Sequence, residues 1–501
     1  MLPVSPSRRR NSRAPLVALG IVALVPALAL WGVWQWADGQ SAAAADGVPP
    51  ADPAAPAPPA ATPALTTGLT SLRRAAPMLS RQLNLGAFQQ AVTPVLDMVG
   101  ERSCAAISLD GELVGERNVD TITIPASTQK VLVAAVALDV LGADFTYTTE
   151  LMAPEPQGGV ITGDVYLVGS GDPLLSGAWY EGSTLDANPA FNTTLIDDLA
   201  EQLSGKGVRE IRGVVRGDGS RYDDEWYVDT WGPGVAGGEA GPYDALLVND
   251  SRVLGDEYRG SDPNESGARE LIRILGERGI GVSGGAGTGT WSAGTGTSQI
   301  AAVTSQPLPA ILEEMLTNSD NNTAEMVVKE LGVAAGGAGT RQAGLDVMAA
   351  TIAGWGVDTT GLELADGSGL SLSNRVSCTT MLGVLQHAGA DSAVALGLAV
   401  AGQTGTMTPH FADTPLDGRL LGKTGTLSNP PFDQDPPASK ALAGYLPVDG
   451  GGAIEFVLIL NGDPGGLPIT EQNAYRPVWA ALGTALASFP AVAGPAELGP
   501  R

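Results

Sequence analysis

Three short groups of residues in this chain could do chemistry together. Ser127-Thr128-Gln129-Lys130 sets an amine three residues after a hydroxyl, Ser319-Asp320-Asn321 supplies a second hydroxyl and an amide, and Lys423-Thr424-Gly425 is followed by Thr426. Each alone is commonplace: a lone Ser-x-x-Lys is most often a helix cap with a surface lysine, and Ser and Asn are ordinary turn residues. All three in this order point to serine acyl transfer. Residues three apart on a helix share a face, so Ser127 and Lys130 stand side by side in the first turn, where the positive helix end favours developing negative charge. A lysine under the apolar Val131, Leu132 and Val133 loses hydration of its ammonium and becomes a base near neutral pH. Ser319 can pass the proton on, and Asn321 can orient both Lys130 and a substrate. Lys423 and Thr424 offer a charge and a hydroxyl to a substrate carboxylate. Gly425 lets a substrate backbone come close, and the N–H groups of Ser127 and Thr426 would form the oxyanion hole. Such chemistry needs no metal or organic cofactor.

The elements that must hold these groups can be read in outline. Cys104–Leu109 and Thr121–Ile124 read as strands around a polar turn, and Val131–Leu141 as a helix stopped by Gly142. From about Thr146 to Ala301 short β-like stretches such as Gly213–Arg216 alternate with Gly, Asp and Pro turns, and Gly284–Thr297 reads as a loop. Helices return at Pro309–Leu316, Thr323–Leu331, Gln342–Ile352 and Thr379–His387, with strands at Ala441–Leu446 and Ile454–Leu460. This pattern is an α+β domain, 83–145 and 302–490, split by one or two inserted β-rich domains, 146–301.

At 501 residues the chain is long enough for two or three domains. Its net charge of −26 excludes a duplex-binding protein, which needs a basic face. The one basic cluster, Arg8, Arg9, Arg10 and Arg13, precedes an apolar stretch from Pro15 to about Trp36. Residues 1–14 thus read as a cytoplasmic tail, 15–37 as a signal anchor or signal peptide, and 38–82 as an Ala/Pro-rich linker. The rest is expected outside the cytoplasm, anchored in the membrane or secreted to the cell wall. There Cys104 and Cys378 could pair, although two free buried thiols fit the sequence equally well. With two histidines, His387 and His410, a His-rich metal site is excluded and a Ser-His-Asp triad has only two candidate bases.

The combination resembles the penicillin-recognising serine acyl-transferases. The 192 residues between Ser127 and Ser319 (319 − 127) narrow it, because simple carboxypeptidases and class A β-lactamases have a much shorter interval. A long insertion there is similar to the D-alanyl-D-alanine carboxypeptidase/endopeptidase family, the class C low-molecular-mass penicillin-binding proteins. Gly163–Pro173, Gly217–Ser220, Ser319–Glu325, Asp366–Ser371, Gly405–Met407 and Ala443–Tyr445 match that family's motifs. The resemblance implies a penicillin-binding/β-lactamase-like transpeptidase fold and a DD-peptidase acting on peptidoglycan stem peptides, with β-lactams as covalent inhibitors. It implies Ser127 as nucleophile, Lys130 as base, Ser319 and Asn321 in the proton network, and Lys423 and Thr424 on the terminal carboxylate. It places Asp218 where the family has an acid that recognises the amino end of a stem peptide; a turn aspartate between glycines is the other reading. The chain departs from the family at Leu372, where a basic residue often stands, with Arg375 the nearest arginine. It departs again at 428–440, a proline-rich stretch that reads as a rim loop.

Two other matches are chance. Gly281-Val-Ser283-Gly-Gly285 fits a nucleophile elbow but has no helix behind it, and Gly422-Lys423-Thr424 lacks the first glycine of a phosphate loop because Asp417 stands there. Two rival functions remain at this level. A β-lactamase would need a carboxylate for deacylation, with Glu313, Glu314 and Glu325 as candidates. A silent wall-binding scaffold would need no intact nucleophile, and this chain has one.

Overall fold

A computed structural model describes residues 72–490, save 184, 186–187, 233, 295, 430–433, 450–451 and 463–474. The basic tail, the apolar segment 15–37 and most of the linker lie outside the described residues. Among those described, no helix is long and apolar enough to cross a membrane. First come α1 (Leu72–Asp97), β1 (Cys104–Leu109), β2 (Glu112–Arg117) and, after a short 3-10 turn at Ala126–Gln129, α2 (Lys130–Leu141). The middle holds β3 (Thr148–Ala153), β4 (Val160–Ile161), β5 (Val165–Val168), β6 (Leu175–Ser176), β7 (Thr194–Leu195), α3 (Asp197–Gly205), β8 (Glu210–Ile211) and β9 (Val215–Asp218). It continues with α4 (Pro263–Glu277), β10 (Gly281–Val282), β11 (Ala286–Thr288) and β12 (Ser298–Thr304). The last part has α5 (Leu308–Asn318), α6 (Asn321–Leu331), α7 (Arg341–Gly354), α8 (Cys378–Ala388), α9 (Ala393–Leu396), β13 (Ala399–Val400), β14 (Leu421–Asn429), β15 (Gln434–Pro447), β16 (Ala453–Asn461) and α10 (Tyr475–Ala487).

An antiparallel sheet in the order β13-β14-β15-β16-β1-β2 is the frame. Its central strands carry long apolar runs, Cys104–Ile107, Ala441–Leu446 and Phe456–Leu460, because both faces are covered there. Along β16, Val457 and Ile459 pack with α2, α5, α6, α7 and α8, while Ile454, Phe456, Leu458 and Leu460 pack with α1 and α10. Helix α2 is apolar all round and buried from Lys130 to Ala137, as a helix inside a helical layer must be. A disulfide joins Cys104 of β1 to Cys378 at the start of α8 and so ties the helical layer to the sheet.

The middle stretch builds a mixed sheet, β11-β9-β5-β3-β12, and a parallel one, β10-β8-β4, around its own core with α3 and α4. Its first and last long strands, β3 and β12, pair antiparallel, which returns the chain to the six-stranded frame beside its point of departure.

Several elements differ from the sequence reading. α1 begins at Leu72, inside the stretch read as linker. Thr121–Ile124 is not a strand: only Thr123 makes a bridge, to Val376. The partner of β1 is instead β2, joined through Asp110-Gly111, both at positive φ, the dipeptide suited to a tight hairpin. β11 lies within the stretch read as a glycine-rich loop. The segment 428–440 is mostly strand, because β14 and β15 extend into a long hairpin paired as far as Asn429 and Gln434. Replacing both Cys104 and Cys378 with serine should lower stability by about 2–5 kcal/mol, since the bridge spans a long loop. Denaturant unfolding of both forms checks this, and an unchanged midpoint would mean the bridge is dispensable.

Candidate active site

The turn that carries Ser127 is held from three sides. Ala126, just before it, sits at φ +50°, a strained region for a residue with a side chain. Thr128 Oγ1 donates to the Pro125 carbonyl at 2.7 Å. Buried Gln129 donates from Nε2 to the Asp366 carbonyl at 2.7 Å and to Asn374 Oδ1 at 3.0 Å. Gly369, at φ +85°, lies so near that a Cβ there would stand 2.0 Å from the Ala126 carbonyl oxygen. Gly425 of β14 serves the same end from the sheet: its missing Cβ would meet Pro125 O at 2.9 Å and Ala126 Cβ at 3.2 Å. The glycine of the third motif thus lets the sheet approach the serine turn.

Lys130 is wholly buried. Its Nζ donates to Ser127 Oγ at 3.2 Å, to Asn321 Oδ1 at 2.8 Å and to the Ser368 carbonyl at 2.6 Å. Burial pulls its pKa down to about 8, against the pull of Asp320, Asp366 and Glu325, whose negative charges favour the ammonium.

Ser319 ends α5 in a left-handed conformation, φ +65°, and Asp320 then caps α6 by accepting from Thr323 N. The middle residue of the second motif therefore shapes the backbone while its neighbours face the site. Lys423, also wholly buried, donates from Nζ to Ser319 Oγ at 2.8 Å and to the Thr424 carbonyl at 2.9 Å. Burial, and then the nearby Lys130, hold its pKa well below the ordinary lysine value. The structure thus assembles Ser127, Lys130, Asn321, Ser319 and Lys423 into one cluster, with Thr424 and Thr426 following on β14. Asn321 does not offer its amide nitrogen freely, because Nδ2 donates to the Glu239 carbonyl of the inserted region at 2.9 Å.

Glu325 matters in a way its motif did not reveal. It is buried, accepts from Gly367 N at 3.1 Å and Ser368 N at 2.7 Å, and so fixes the loop whose Ser368 carbonyl holds Lys130. Asp366 accepts from Gly369 N, Ser371 N and the inserted region's Trp231 Nε1 at 2.6–2.9 Å.

Asp218 stands outside the cluster. It is buried at the end of β9, and its oxygens accept from Ser220 N at 2.9 Å and Trp291 N at 2.6 Å. This geometry favours the turn reading. Arg375 donates to the Leu372 and Asn374 carbonyls at 2.6 and 2.8 Å, so it closes its own loop. His387 stacks on Trp355, and His410 meets Trp479 edge-on. Glu313 is exposed and receives Asn192 Nδ2 at 3.2 Å, while Glu314 receives Asn318 Nδ2 at 2.8 Å.

A polar cavity of about 190 Å³ adjoins the second motif, with Ser319, Asp320 and Asn321 on one wall and Tyr180, Asp250 and Arg259 of the inserted region on the other. Asp250 accepts from Asn322 Nδ2 at 2.9 Å and Tyr180 OH at 3.1 Å, and it is paired with Arg259 at 3.5 Å. These insert residues escaped the sequence reading because nothing in their spacing links them. The doubled Asn321-Asn322, whose second amide reaches Asp250, was the one available signal.

The chain is similar to known proteins. The model of the D-Ala-D-Ala carboxypeptidase 3 (S13) family matches residues 101–254 and 244–481. The chain belongs to this family. A D-alanyl-D-alanine carboxypeptidase of an Actinomadura species is 29% identical, over 82% of this chain and 91% of its own. The carboxypeptidase DacB of Mycolicibacterium smegmatis is 30% identical, over 91% of this chain and 94% of its own. The crystal structure of penicillin binding protein 4 from Haemophilus influenzae superposes with a TM-score of 0.61 at 20% identity, covering 79% of this chain and 98% of that one, which shows the shared fold. This family member therefore has the α+β, penicillin-binding-protein type of fold read from its motifs.

Burial raises four carboxyls above their usual range: Glu325 and Asp320, and Asp172 and Asp244 to about 6. Between the ordinary carboxylate range and about 6 the folded chain holds protons that the unfolded chain has lost. This stability is full at the acid end and is lost as pH rises through the window. His410, pulled down to about 4 by burial, opposes it as one group against four. Thermal melts should thus show a higher midpoint near pH 5 than near pH 7, with a shallower slope in Glu325→Gln. A midpoint rising toward pH 7 would contradict the assignment.

Proposed function

We propose that this chain is a serine D-Ala-D-Ala carboxypeptidase/endopeptidase that acts on peptidoglycan stem peptides and is acylated by penicillins. The observation that carries the reading is the bonding of Lys130. An ammonium has three N–H donors, and all three are used here. A neutral amine keeps two donors and a lone pair. The two can stay on Asn321 Oδ1 and the Ser368 carbonyl, which leaves the lone pair facing Ser127 Oγ. Ser127 can then attack the carbonyl between two D-alanines as its proton moves to Lys130. Ser319, held by Lys423, is suited to relay that proton: it hands its own to the leaving amine and takes the one that Lys130 received, and water then hydrolyses the acyl-serine. The N–H groups of Ser127 and Thr426 are our candidates for the oxyanion hole.

The outer edge of β14 supports a bound peptide strand, because β13 pairs only with Leu421 and Gly422. Besides Asp218, the cavity holding Asp250, an acid paired there with Arg259, offers a carboxylate for the amino end of a stem peptide. The β-lactamase alternative has less support: both oxygens of Glu325 are taken by backbone N–H groups. A silent scaffold would not need this assembled set. For localisation, we read the chain as exported and held by or cleaved from its N-terminal apolar segment. The Cys104–Cys378 bridge supports this, since disulfides persist outside the cytoplasm.

Fluorescent penicillin should label the wild type durably and leave Ser127→Ala blank, and D-alanine release should vanish with the label. A folded wild type that takes no label would sink the enzyme reading. Asp250→Asn should raise KM about tenfold for peptides with a free amino end, the scale of one charge-assisted contact, and leave penicillin labelling unchanged. An equal loss of both would remove Asp250 from recognition.

A further inference from the structure

Side chains alternate across a strand, and on β14 the alternation separates two groups of residues. Lys423 and Gly425 face the helical layer, one bonded to Ser319 and the other against Ala126. Thr424 and Thr426 therefore face the other way, toward α10. On that side Thr426 stands opposite Lys440 of β15, and Lys440 Nζ donates to Thr426 Oγ1 at 2.7 Å. The ammonium is steadied by two rings of α10, 4.4 Å from the centroid of Tyr475 and 5.4 Å from that of Trp479.

From this arrangement we infer that Lys440 supplies the positive charge that recognises the substrate's terminal carboxylate, acting with the hydroxyls of Thr424 and Thr426. The inference rests on the peptidase reading above. Lys423 is already bonded to Ser319 Oγ and the Thr424 carbonyl, and its side chain lies on the other face of the strand from the hydroxyls of Thr424 and Thr426. Lys440 has one hydroxyl partner that can turn its own O–H toward a carboxylate, and its side chain is only part-buried. Burial and then Arg476 draw its pKa down to about 8, while His410 lies in the same positive field. An arriving carboxylate relieves that crowding of like charge, so binding the anion and keeping the proton favour each other. Lys440 is thus a specificity residue for carboxypeptidase substrates over internal bonds that lack the carboxylate.

The test uses the purified full-length chain and two acyl-D-alanyl thioesters, one of mercaptoacetate and one of mercaptoacetamide, which differ only in the charge of the leaving group. In Lys440→Met, kcat/KM for the carboxylate thioester should fall about tenfold to a hundredfold, mainly through KM, the scale of one charge-assisted hydrogen bond. The amide thioester should be turned over as in the wild type, and Lys440→Arg should recover most of the loss. Equal losses on both thioesters, or none on the carboxylate, would overturn the role of Lys440 and leave the serine mechanism standing. A wild type inert toward both, and unlabelled by penicillin, would overturn the peptidase reading and this inference with it.

Discussion

A lysine with no water around it must be satisfied by the protein, and the site depends on how Lys130 meets that need. Its three acceptors come from three separate parts of the chain: its own turn, the N-terminus of α6 and the 366–374 loop. Each acceptor is itself fixed by something further out. Asn321 is held by the Glu239 carbonyl, the Ser368 loop by Glu325, and the Ser127 turn by Gln129 and the close approach of Gly369 and Gly425. Desolvation brings the amine toward neutrality, and the nearby Asp320, Asp366 and Glu325 stop it from falling too far. The balance near 8 is a property of the assembly.

Helix α6 links the inserted region to this assembly. Its first turn carries Asn321 and Asn322, both bonded to insert residues. Its last turn carries buried Lys329, paired with Asp223 and lying near the rings of Tyr222 and Tyr243, and Glu330, which takes Arg221 and Tyr222. Arg341 of α7 reaches Glu225, and Trp231 and Thr230 reach Asp366 and Ser371. A pair buried this way gains little net stability but is costly to break singly. Its effect is to fix where the insert's cavity wall stands relative to the second motif.

Much of this was legible in the chain. The three motifs named the cluster because their chemistry demands those residue types, and strong apolar runs marked α2, β15 and β16. What stayed hidden depended on distant partners. The role of Glu325 requires knowing that α6 lies under the 366–371 loop. Lys440 sits 14 residues beyond Thr426 in the chain (440 − 426), and only the β14–β15 register makes them neighbours. Strand β2 was masked by its charged edge, although Asp110-Gly111 announced the hairpin. Asp218 had two readings for the converse reason: a glycine-flanked acid looks the same in sequence whether it holds a ligand or its own turn.

The pH dependence of Ser127 acylation, followed by stopped-flow with a penicillin over single turnovers, tests the central claim most directly. The account predicts a rate that climbs with pH through a single ionisation near 8 and then levels, with that ionisation moving to lower pH in Glu325→Gln as a negative charge beside Lys130 is removed. A flat profile across that range, or one unmoved by the substitution, would contradict the assignment of buried Lys130 as the base.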